Sequence, residues 1–338
     1  MTGDVTLRPA REETPLSFVD MSTSLAAFHA PNPVFTASGC AAAGRELAQF
    51  FDPSDLGGIV TKSIMLEARS GRPTPRMAET PSGMLNSIGL QGPGIAAFLE
   101  HDLPWLADRG ARAVVSIAGS SIDEYVALAA KLRGQPGLAM LEVNISCPNV
   151  EDRGQVFACD PRAAARVIAA VRQKATPTVP VFAKLSPDVT DIVAVAEAVM
   201  QAGADGLSMI NTLLGMVIDP DTMRPLLAGV TGGLSGPAIR PVAVRCVWQV
   251  HRAMPDVPIL GMGGIRTGLD ALEFVLAGAS AVSVGTSVFS DPSAPVRVLR
   301  ELQQALGERG FDSLSDAIGY AHRPADAVVP PDPRGDDA

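Results

Sequence analysis

The sequence has no apolar run that approaches the roughly 20 residues needed to cross a bilayer. Its first residues, Met1 to Leu16, are polar and of mixed charge, so the apolar core of a signal peptide is missing too. Cysteine is scarce, and Cys40, Cys147, Cys159 and Cys246 are scattered without a CxxC pair. We therefore expect a cytoplasmic protein with free thiols rather than a disulfide framework.

The motifs of several common chemistries are also missing. The four histidines do not fall at metal-ligand spacings, and neither HExxH nor GxSxG occurs. We therefore expect no metal site and no serine triad. The formal net charge is −9, so a polyanion is repelled on average, and we expect neither nucleic acid nor a membrane surface as a partner.

The chain is rich in short β-branched runs that alternate with amphipathic, alanine-rich stretches. Its 338 residues, 47% of them hydrophobic, are enough to bury one large core. The predicted strands are Pro33–Ser38, Gly58–Lys62, Ala113–Ala118, Met140–Ile145, Val179–Leu185, Gly206–Asn211, Pro258–Met262 and Ala281–Thr286. Eight strands separated by helices favour a (β/α)8 barrel over an open doubly wound sheet, which usually has five or six.

We predict three parts along the chain. Residues 1–32 form an N-terminal extension or cap, residues 33–310 form the barrel, and residues 311–338 form a C-terminal segment with a disordered tail from about residue 324. Two long stretches, 65–93 and 213–232, follow predicted strands. Insertions after barrel strands lie on the C-terminal face, where barrels carry their active sites, so both stretches are candidate lids.

Glycine-rich segments close the last two predicted strands. GMGGI (261–265) and VGT (284–286) stand where barrels often hold phosphate with backbone N–H groups, and GGLSG (232–236) precedes a predicted helix. Arg266 occupies the last glycine position of a GxGxxG fingerprint. The pattern therefore favours a mononucleotide on a barrel over a dinucleotide on a Rossmann turn.

Polar side chains follow other predicted strands. Lys62 and Lys184 end β-rich runs, where they would stabilise charge on a reduced cofactor, form a Schiff base, or simply reach solvent from the rim. The amides that lie at strand ends or in the first insertion are Asn86, Asn144, Asn149 and Asn211. Such a ring of donors and acceptors suits a ligand with cyclic amide edges. Cys147 lies among polar neighbours, unlike Cys40 and Cys246, which we expect to be small buried hydrophobes.

Together these segments resemble the class 1 dihydroorotate dehydrogenases, over about residues 16–306. The resemblance is carried by FTASG (35–39), TPRMAETPSGMLNSIGLQ (74–91), LEVNISCPN (141–149), KLSPDVTDI (184–192), DGLSMINTLLG (205–215), TGGLSGPAI (231–239), MGGI (262–265) and ASAVSVGT (279–286). Cysteine rather than serine in the catalytic loop is typical of class 1. The segments NTLLGM (211–216) and TPRMAETPSGMLNSIGLQ (74–91) are most similar to the class 1B catalytic subunit.

The resemblance implies a role for each matching position. The implied FMN-binding residues are Ala37, Ser38, Lys62, Asn144, Lys184, Ile210, Ser235, Gly236, Gly263, Gly264, Gly285 and Thr286. The implied dihydroorotate-binding residues are Lys62, Asn86, Ile88, Gly89, Leu90, Asn144, Asn149, Asn211 and Thr212. Cys147 would be the base that takes a proton from C5 while C6 delivers hydride to flavin N5, and Lys184 would stabilise the charge that develops on the flavin.

The resemblance also implies how electrons leave. The class 1B subunit works with a partner that carries FAD and an iron–sulfur cluster and passes electrons to NAD, which implies a heterotetramer; a homodimer is the other assembly expected. This chain has no cysteine cluster of its own for such a centre. Without a partner, fumarate or another soluble acceptor would take the electrons.

Three other functions fit the same barrel. A dihydropyrimidine-type dehydrogenase would act on a pyrimidine without the carboxylate. A lyase or isomerase would use Lys184 as a Schiff base and bind no flavin. A catalytically silent scaffold would bind flavin without being reduced by any dihydropyrimidine.

Overall fold

The computed structural model describes residues 19–145 and 160–324, and these residues contain sixteen strands. The strands are β1 (Thr23–Leu25), β2 (Phe28–Ala30), β3 (Val34–Thr36), β4 (Ile59–Val60), β5 (Met77–Thr80), β6 (Gly83–Asn86), β7 (Ala113–Ile117), β8 (Leu138–Asn144), β9 (Val181–Leu185), β10 (Gly206–Met209), β11 (Leu213–Gly215), β12 (Ile218–Asp219), β13 (Arg224–Pro225), β14 (Gly232–Ser235), β15 (Ile259–Met262) and β16 (Ala281–Val284).

The same residues contain nine α-helices and several shorter helical turns. The α-helices are α1 (Gly94–Ala97), α2 (Leu103–Asp108), α3 (Ile122–Leu132), α4 (Pro161–Lys174), α5 (Ile192–Gln201), α6 (Arg240–Ala253), α7 (Gly268–Leu276), α8 (Ala294–Gly307) and α9 (Leu314–Ala317). A π-helical turn, Phe98–Asp102, joins α1 to α2. In this part of the chain no helix is both long enough and apolar enough to cross a membrane.

Eight parallel strands form the predicted barrel. Seven lie within a predicted strand, and β8 begins two residues before the predicted Met140–Ile145. Their order around the sheet is β3, β16, β15, β10, β9, β8, β7 and β4. A parallel bridge between Phe35 and Gly58 joins the two ends of this order, and the Gly57 N–H donates to the Val34 carbonyl at 2.8 Å. The sheet therefore closes on itself, as predicted for a (β/α)8 barrel.

Successive residues of the barrel strands point alternately inward and outward, and so contribute to two hydrophobic cores, one inside the barrel and one between the strands and the helices. Phe35, Val60, Val114, Met140 and Phe182 point into the barrel, while the residues beside them pack against the surrounding helices. The hairpin β1–β2 adds Leu25 and Ala30 to the interior cluster. The segment before the first barrel strand thus helps to fill the end of the barrel opposite the C-terminal face.

The outer helices begin at capping residues and pack through apolar stripes, both of which are set by their own sequences. The Ser121 hydroxyl accepts from the Glu124 N–H at the start of α3, and Asp160 and Asp191 cap α4 and α5 in the same way. In α3 the buried residues recur at helical spacing: Tyr125, Leu128, Ala129 and Leu132. Each helix therefore presents one apolar stripe to the barrel.

The two predicted lid segments meet in one small sheet. Strands β5 and β6 come from the first insertion, β11 and β14 from the second, and they pair antiparallel in the order β11, β14, β6, β5. We call this four-stranded sheet the cap sheet. Gly233 of β14 is in register with Asn86 of β6. Both insertions follow barrel strands, so the cap sheet covers the C-terminal face.

The chain after α8 packs back on the helices. Phe311, Leu314 and Ala317 are buried, and Ser313 forms a parallel bridge with Asp20. The predicted disordered tail lies almost wholly in 325–338, and the start of the predicted N-terminal extension in 1–18, so both are outside the described residues.

Candidate active site

A cavity of about 990 Å³ lies between the barrel mouth and the cap sheet. Its volume is at the upper end of the range for small-molecule pockets. Every predicted site residue in the described part of the chain lines it. These residues are Ala37, Ser38, Lys62, Asn86, Ile88, Gly89, Leu90, Asn144, Lys184, Ile210, Asn211, Thr212, Ser235, Gly236, Gly263, Gly264, Gly285 and Thr286. Cys147 and Asn149 lie outside the described residues, so their placement stays a prediction.

Hydrogen bonds connect residues in or just after five barrel strands across the floor of the cavity. Asn211 Nδ2 donates to Asn144 Oδ1 at 3.3 Å, and Asn144 Nδ2 donates to Ser63 Oγ at 3.0 Å. Ser63 Oγ is also 3.0 Å from Ser116 Oγ and 3.3 Å from Ser38 Oγ. Because each amide is held by its neighbour, the network fixes which edge of each amide faces the cavity.

The cap sheet contributes a further asparagine from above. Asn86 Nδ2 donates to the Gly233 carbonyl at 3.3 Å, which ties β6 to β14 directly above the barrel mouth. A methyl group at Gly233 would come within 2.1 Å of Thr212 Oγ1. The absence of a side chain at Gly233 is therefore required for β14 to lie against Thr212, the residue that precedes β11.

Two lysines line the same cavity in different surroundings. Lys184 is almost fully buried, and its Nζ lies 3.5 Å from Oε1 of Glu142, which is itself fully buried. Lys62 is half-buried, and its Nζ would lie 3.9 Å from a Cβ placed on Gly39. The barrel mouth therefore holds one cation with a buried carboxylate and a second cation nearer its rim.

Glycines with left-handed backbone form a cradle at the side of the cavity below β14. Gly236, Gly263 and Gly264 have φ of +92°, +131° and +80°. A methyl group on Gly264 would come within 2.8 Å of the Gly236 carbonyl oxygen, so side chains would fill this space. Gly285 precedes a short 3-10 helix, Thr286–Phe289, whose first N–H groups are not bonded within the helix. Such a cradle suits a phosphate group.

Two hydroxyls complete that side of the cavity. Thr286 Oγ1 donates to Ser235 Oγ at 2.8 Å, and Ser235 Oγ donates to the Met84 carbonyl at 3.3 Å. The chain of bonds links the end of the eighth barrel strand to the cap sheet. Thr286 and Ser235 therefore lie together, as their shared predicted role requires.

Cys40 is not the buried core residue that we expected. It is half-buried and lines the cavity, whereas Cys246 is buried in the helix layer as predicted. Desolvation raises the pKa of the Cys40 thiol to about 11, although the charges of Lys184 and Lys62 lower it in part. Cys40 is thus a neutral thiol at physiological pH, unsuited to act as a base.

Sequence reasoning left three contributors without a role. Glu142, Ser63 and Ser283 are buried and polar, and each points into the barrel or its mouth. The signal was present: Met140, Glu142 and Asn144 alternate with the apolar residues Leu141 and Val143 in MLEVN (140–144), so a strand period places all three on one face. A carboxylate on the interior face of a buried strand requires a partner, and Lys184 is that partner.

Comparison with known proteins places the chain among named relatives. The family model for dihydroorotate dehydrogenase matches residues 20–306. The catalytic subunit of dihydroorotate dehydrogenase B (NAD(+)) from Geobacter sp. (strain M21) is 51% identical over 300 residues, 89% of this chain and 97% of that protein. The subunits of the same name from Desulforudis audaxviator and Anoxybacillus flavithermus are 50% and 51% identical, over 90% and 85% of this chain and 98% and 91% of those proteins. The predicted resemblance to class 1B is confirmed.

Proposed function

This chain belongs to the dihydroorotate dehydrogenase family, and on that premise we propose that it oxidises (S)-dihydroorotate to orotate, in de novo pyrimidine biosynthesis, with bound FMN. The observation that carries the proposal is that every described residue of both predicted binding sets, for a flavin and for a pyrimidine, lines one cavity. The fold alone would not suffice, because barrels of this kind support many chemistries.

The cavity fits FMN at both ends. The glycine cradle of Gly236, Gly263 and Gly264 suits the phosphate, together with the hydroxyls of Ser235 and Thr286. Towards the barrel axis, Ser283 lines the cavity and its buried Oγ has no hydrogen-bond partner among the described residues, which a polar ring edge would supply. Lys184 would place a positive charge at the pyrimidine edge of the ring. When bound, FMN supplies the two-electron acceptor for the reaction.

The other part of the cavity suits a flat cyclic amide. Asn86, Asn144 and Asn211 offer donors and acceptors to ring N–H and C=O groups, and the network on the cavity floor holds two of them in fixed orientation. Lys62 near the rim would bind the substrate carboxylate, a group that dihydrouracil lacks. This contact favours dihydroorotate over a dihydropyrimidine substrate.

The proton from C5 of the substrate would go to the Sγ of Cys147. Cys147 lies in the segment outside the described residues, directly after β8, whose last residue Asn144 is in the cavity. Cys40, which lines the cavity, is unsuited to the task because its pKa is raised to about 11. A positioned base of this kind contributes about 10²–10⁴-fold to the rate.

Electrons would leave through a second subunit to NAD. Three relatives are named as catalytic subunits of an NAD(+) enzyme, and the scattered cysteines of this chain supply no ligand cluster for an iron–sulfur centre. A partner with FAD and an iron–sulfur cluster would provide both functions. If the purified chain alone reduces fumarate, the partner is not needed.

Anaerobic titration of the purified protein with dihydroorotate tests the proposal. The protein should be yellow and should lose its flavin absorbance with dihydroorotate but not with dihydrouracil. Cys147→Ala should keep the colour and lose most of the bleaching rate at neutral pH, whereas Cys246→Ala, which removes a thiol buried away from the cavity, should bleach normally. A colourless protein contradicts the flavin, and equal bleaching in both variants contradicts the role of Cys147.

A further inference from the structure

A polar layer crosses the inside of the barrel directly below the cavity. In β8 and β9 the inward residues Met140 and Phe182 are apolar, and the next inward residues, Glu142 and Lys184, are charged. They lie on adjacent strands, with Asn144 in register with Lys184. The Lys184 ammonium thus lies at the boundary between the barrel interior and the cavity, and Glu142 lies one inward-facing position deeper in the barrel.

Glu142 is the partner of Lys184 in the described part of the chain. Oε1 of Glu142 and Nζ of Lys184 are 3.5 Å apart, and solvent reaches 0% and 4% of the two side chains. In so buried a place each charge needs the other, because an isolated ion would be strongly penalised. The bond uses one of the three N–H donors of the ammonium, and Lys184 also lines the cavity.

The same layer contains polar atoms without a partner among the described residues. They are Oε2 of Glu142, Oγ of Ser208 and Oγ of Ser283, all buried. Ser208 is in register with Lys184 on the neighbouring strand β10. Unsatisfied polar groups in a barrel core reduce stability, and an apolar filling would be more stable. Buried polar residues that are kept beside a ligand cavity despite this loss of stability indicate a functional role.

Resting on the proposed function, we propose that Glu142 is a positioning residue for the flavin reaction. It holds the Lys184 ammonium towards the barrel interior and so weakens the positive field that the ammonium exerts at the flavin. A carboxylate this close offsets much of the field of the cation in a medium of low dielectric constant. Reduction places negative charge on the flavin, so the strength of that field sets how readily the flavin is reduced. Glu142 therefore keeps the reduction potential of bound FMN low enough for electrons to leave again.

The test is the midpoint potential of bound FMN in the holoenzyme, measured by equilibration with a redox dye. Glu142→Gln keeps the shape and one acceptor oxygen for Lys184 but removes the charge, so the potential should rise. A tenfold gain in the ratio of reduced to oxidised FMN affinity corresponds to about 30 mV for a two-electron couple. The matched control is Asp205→Asn, the same change in an ion pair with Arg172 outside the barrel, and it should leave the potential unchanged. An unchanged or lowered potential in Glu142→Gln overturns the proposal.

A second pair of variants shows whether Glu142 acts through Lys184. Lys184→Met should lower the potential, and adding Glu142→Gln to it should give a smaller rise than Glu142→Gln gives alone, because only the direct field of the carboxylate is then left to remove. An equal rise in both backgrounds overturns the proposal. If Glu142→Gln does not fold, Glu142→Asp withdraws the carboxylate by one methylene and should give a smaller rise, and no rise overturns the proposal. A protein without FMN, or one that dihydroorotate does not bleach, refutes the proposed function. If dihydroorotate bleaches the flavin but Glu142→Gln has the same midpoint potential as the unmodified protein, only the role of Glu142 is refuted.

Discussion

Asn211 and Asn144, which are 67 residues apart in the chain, share a hydrogen bond of 3.3 Å at the barrel mouth. Asn144 ends β8, and Asn211 follows β10, two strands further around the barrel. Asn211 Oδ1 also accepts from the N–H of Thr212 at 2.8 Å, which orients the amide so that its Nδ2 donates to Asn144. The Asn211 amide is therefore held at its oxygen by the adjacent backbone and at its nitrogen by Asn144.

Removing the Asn211 amide should weaken substrate binding. In Asn211→Ala the Asn144 Oδ1 loses the hydrogen bond from Asn211, and one protein hydrogen bond is worth about 0.5–1.5 kcal/mol. We expect kcat/KM for dihydroorotate to fall about tenfold or more, with FMN still bound. Asn32→Ala is the matched comparison, because among residues 19–145 and 160–324 the Asn32 side chain bonds only to backbone around β3 and β4. It should lower Tm and leave kcat/KM of the folded enzyme unchanged; equal kinetic effects would refute the claim.

A methyl group at Gly264 should abolish FMN retention. It would meet the Gly236 carbonyl oxygen at 2.8 Å and the Arg240 Cβ at 2.9 Å, inside the proposed phosphate cradle. Gly134 has a similar positive φ of +72°, but a methyl group there would meet nothing within 4 Å, so Gly134→Ala carries the backbone strain alone. FMN per protein after gel filtration should fall several-fold in Gly264→Ala and stay unchanged in Gly134→Ala. Full flavin content in both variants would place the phosphate elsewhere.

Cys40 should be dispensable as a base. Burial raises the pKa of its thiol to about 11, so almost no thiolate exists between pH 6 and 9. We expect Cys40→Ala to bleach with dihydroorotate along the same pH profile as the unmodified enzyme, measured by stopped-flow absorbance. Loss of the rise in rate with pH in Cys40→Ala, with Cys147→Ala still active, would exchange the roles of the two thiols.

Acid should destabilise the fold in part through His251. Burial lowers the pKa of His251 below its ordinary value of 6.5, the charge of His322 adds to this shift, and Asp256 opposes it. The unfolded chain therefore binds a proton more readily than the folded one, so this contribution to stability is present above pH 6.5 and is lost as the pH falls below it. The decline of Tm between pH 7 and pH 5 should be shallower in His251→Gln than in the unmodified protein. Equal slopes would exclude His251 as a source.

The strand and helix pattern was predictable because it depends on local periodicity. Apolar runs such as VFAKL and AVSV specify buried parallel strands wherever they occur, and the residue after such a run must lie at the C-terminal end of its strand. Lys184, Asn144 and Gly285 were found in this way without knowledge of their neighbours. The class 1 resemblance added their expected roles, since residue type alone left the Schiff-base interpretation of Lys184 open.

Contacts between distant segments depended on the closed barrel. Three contacts follow from which strands become neighbours and how far their loops reach. Glu142 pairs with Lys184, Cys40 lines the cavity, and the two insertions join in the cap sheet. The alternation in LEVN shows that Glu142 points inward but not which cation it meets. By itself, then, the sequence determined which residues stand at the mouth, because period and burial are properties of each segment. Only the tertiary structure decided which of them touch, because those distances arise when eight strands close into one ring.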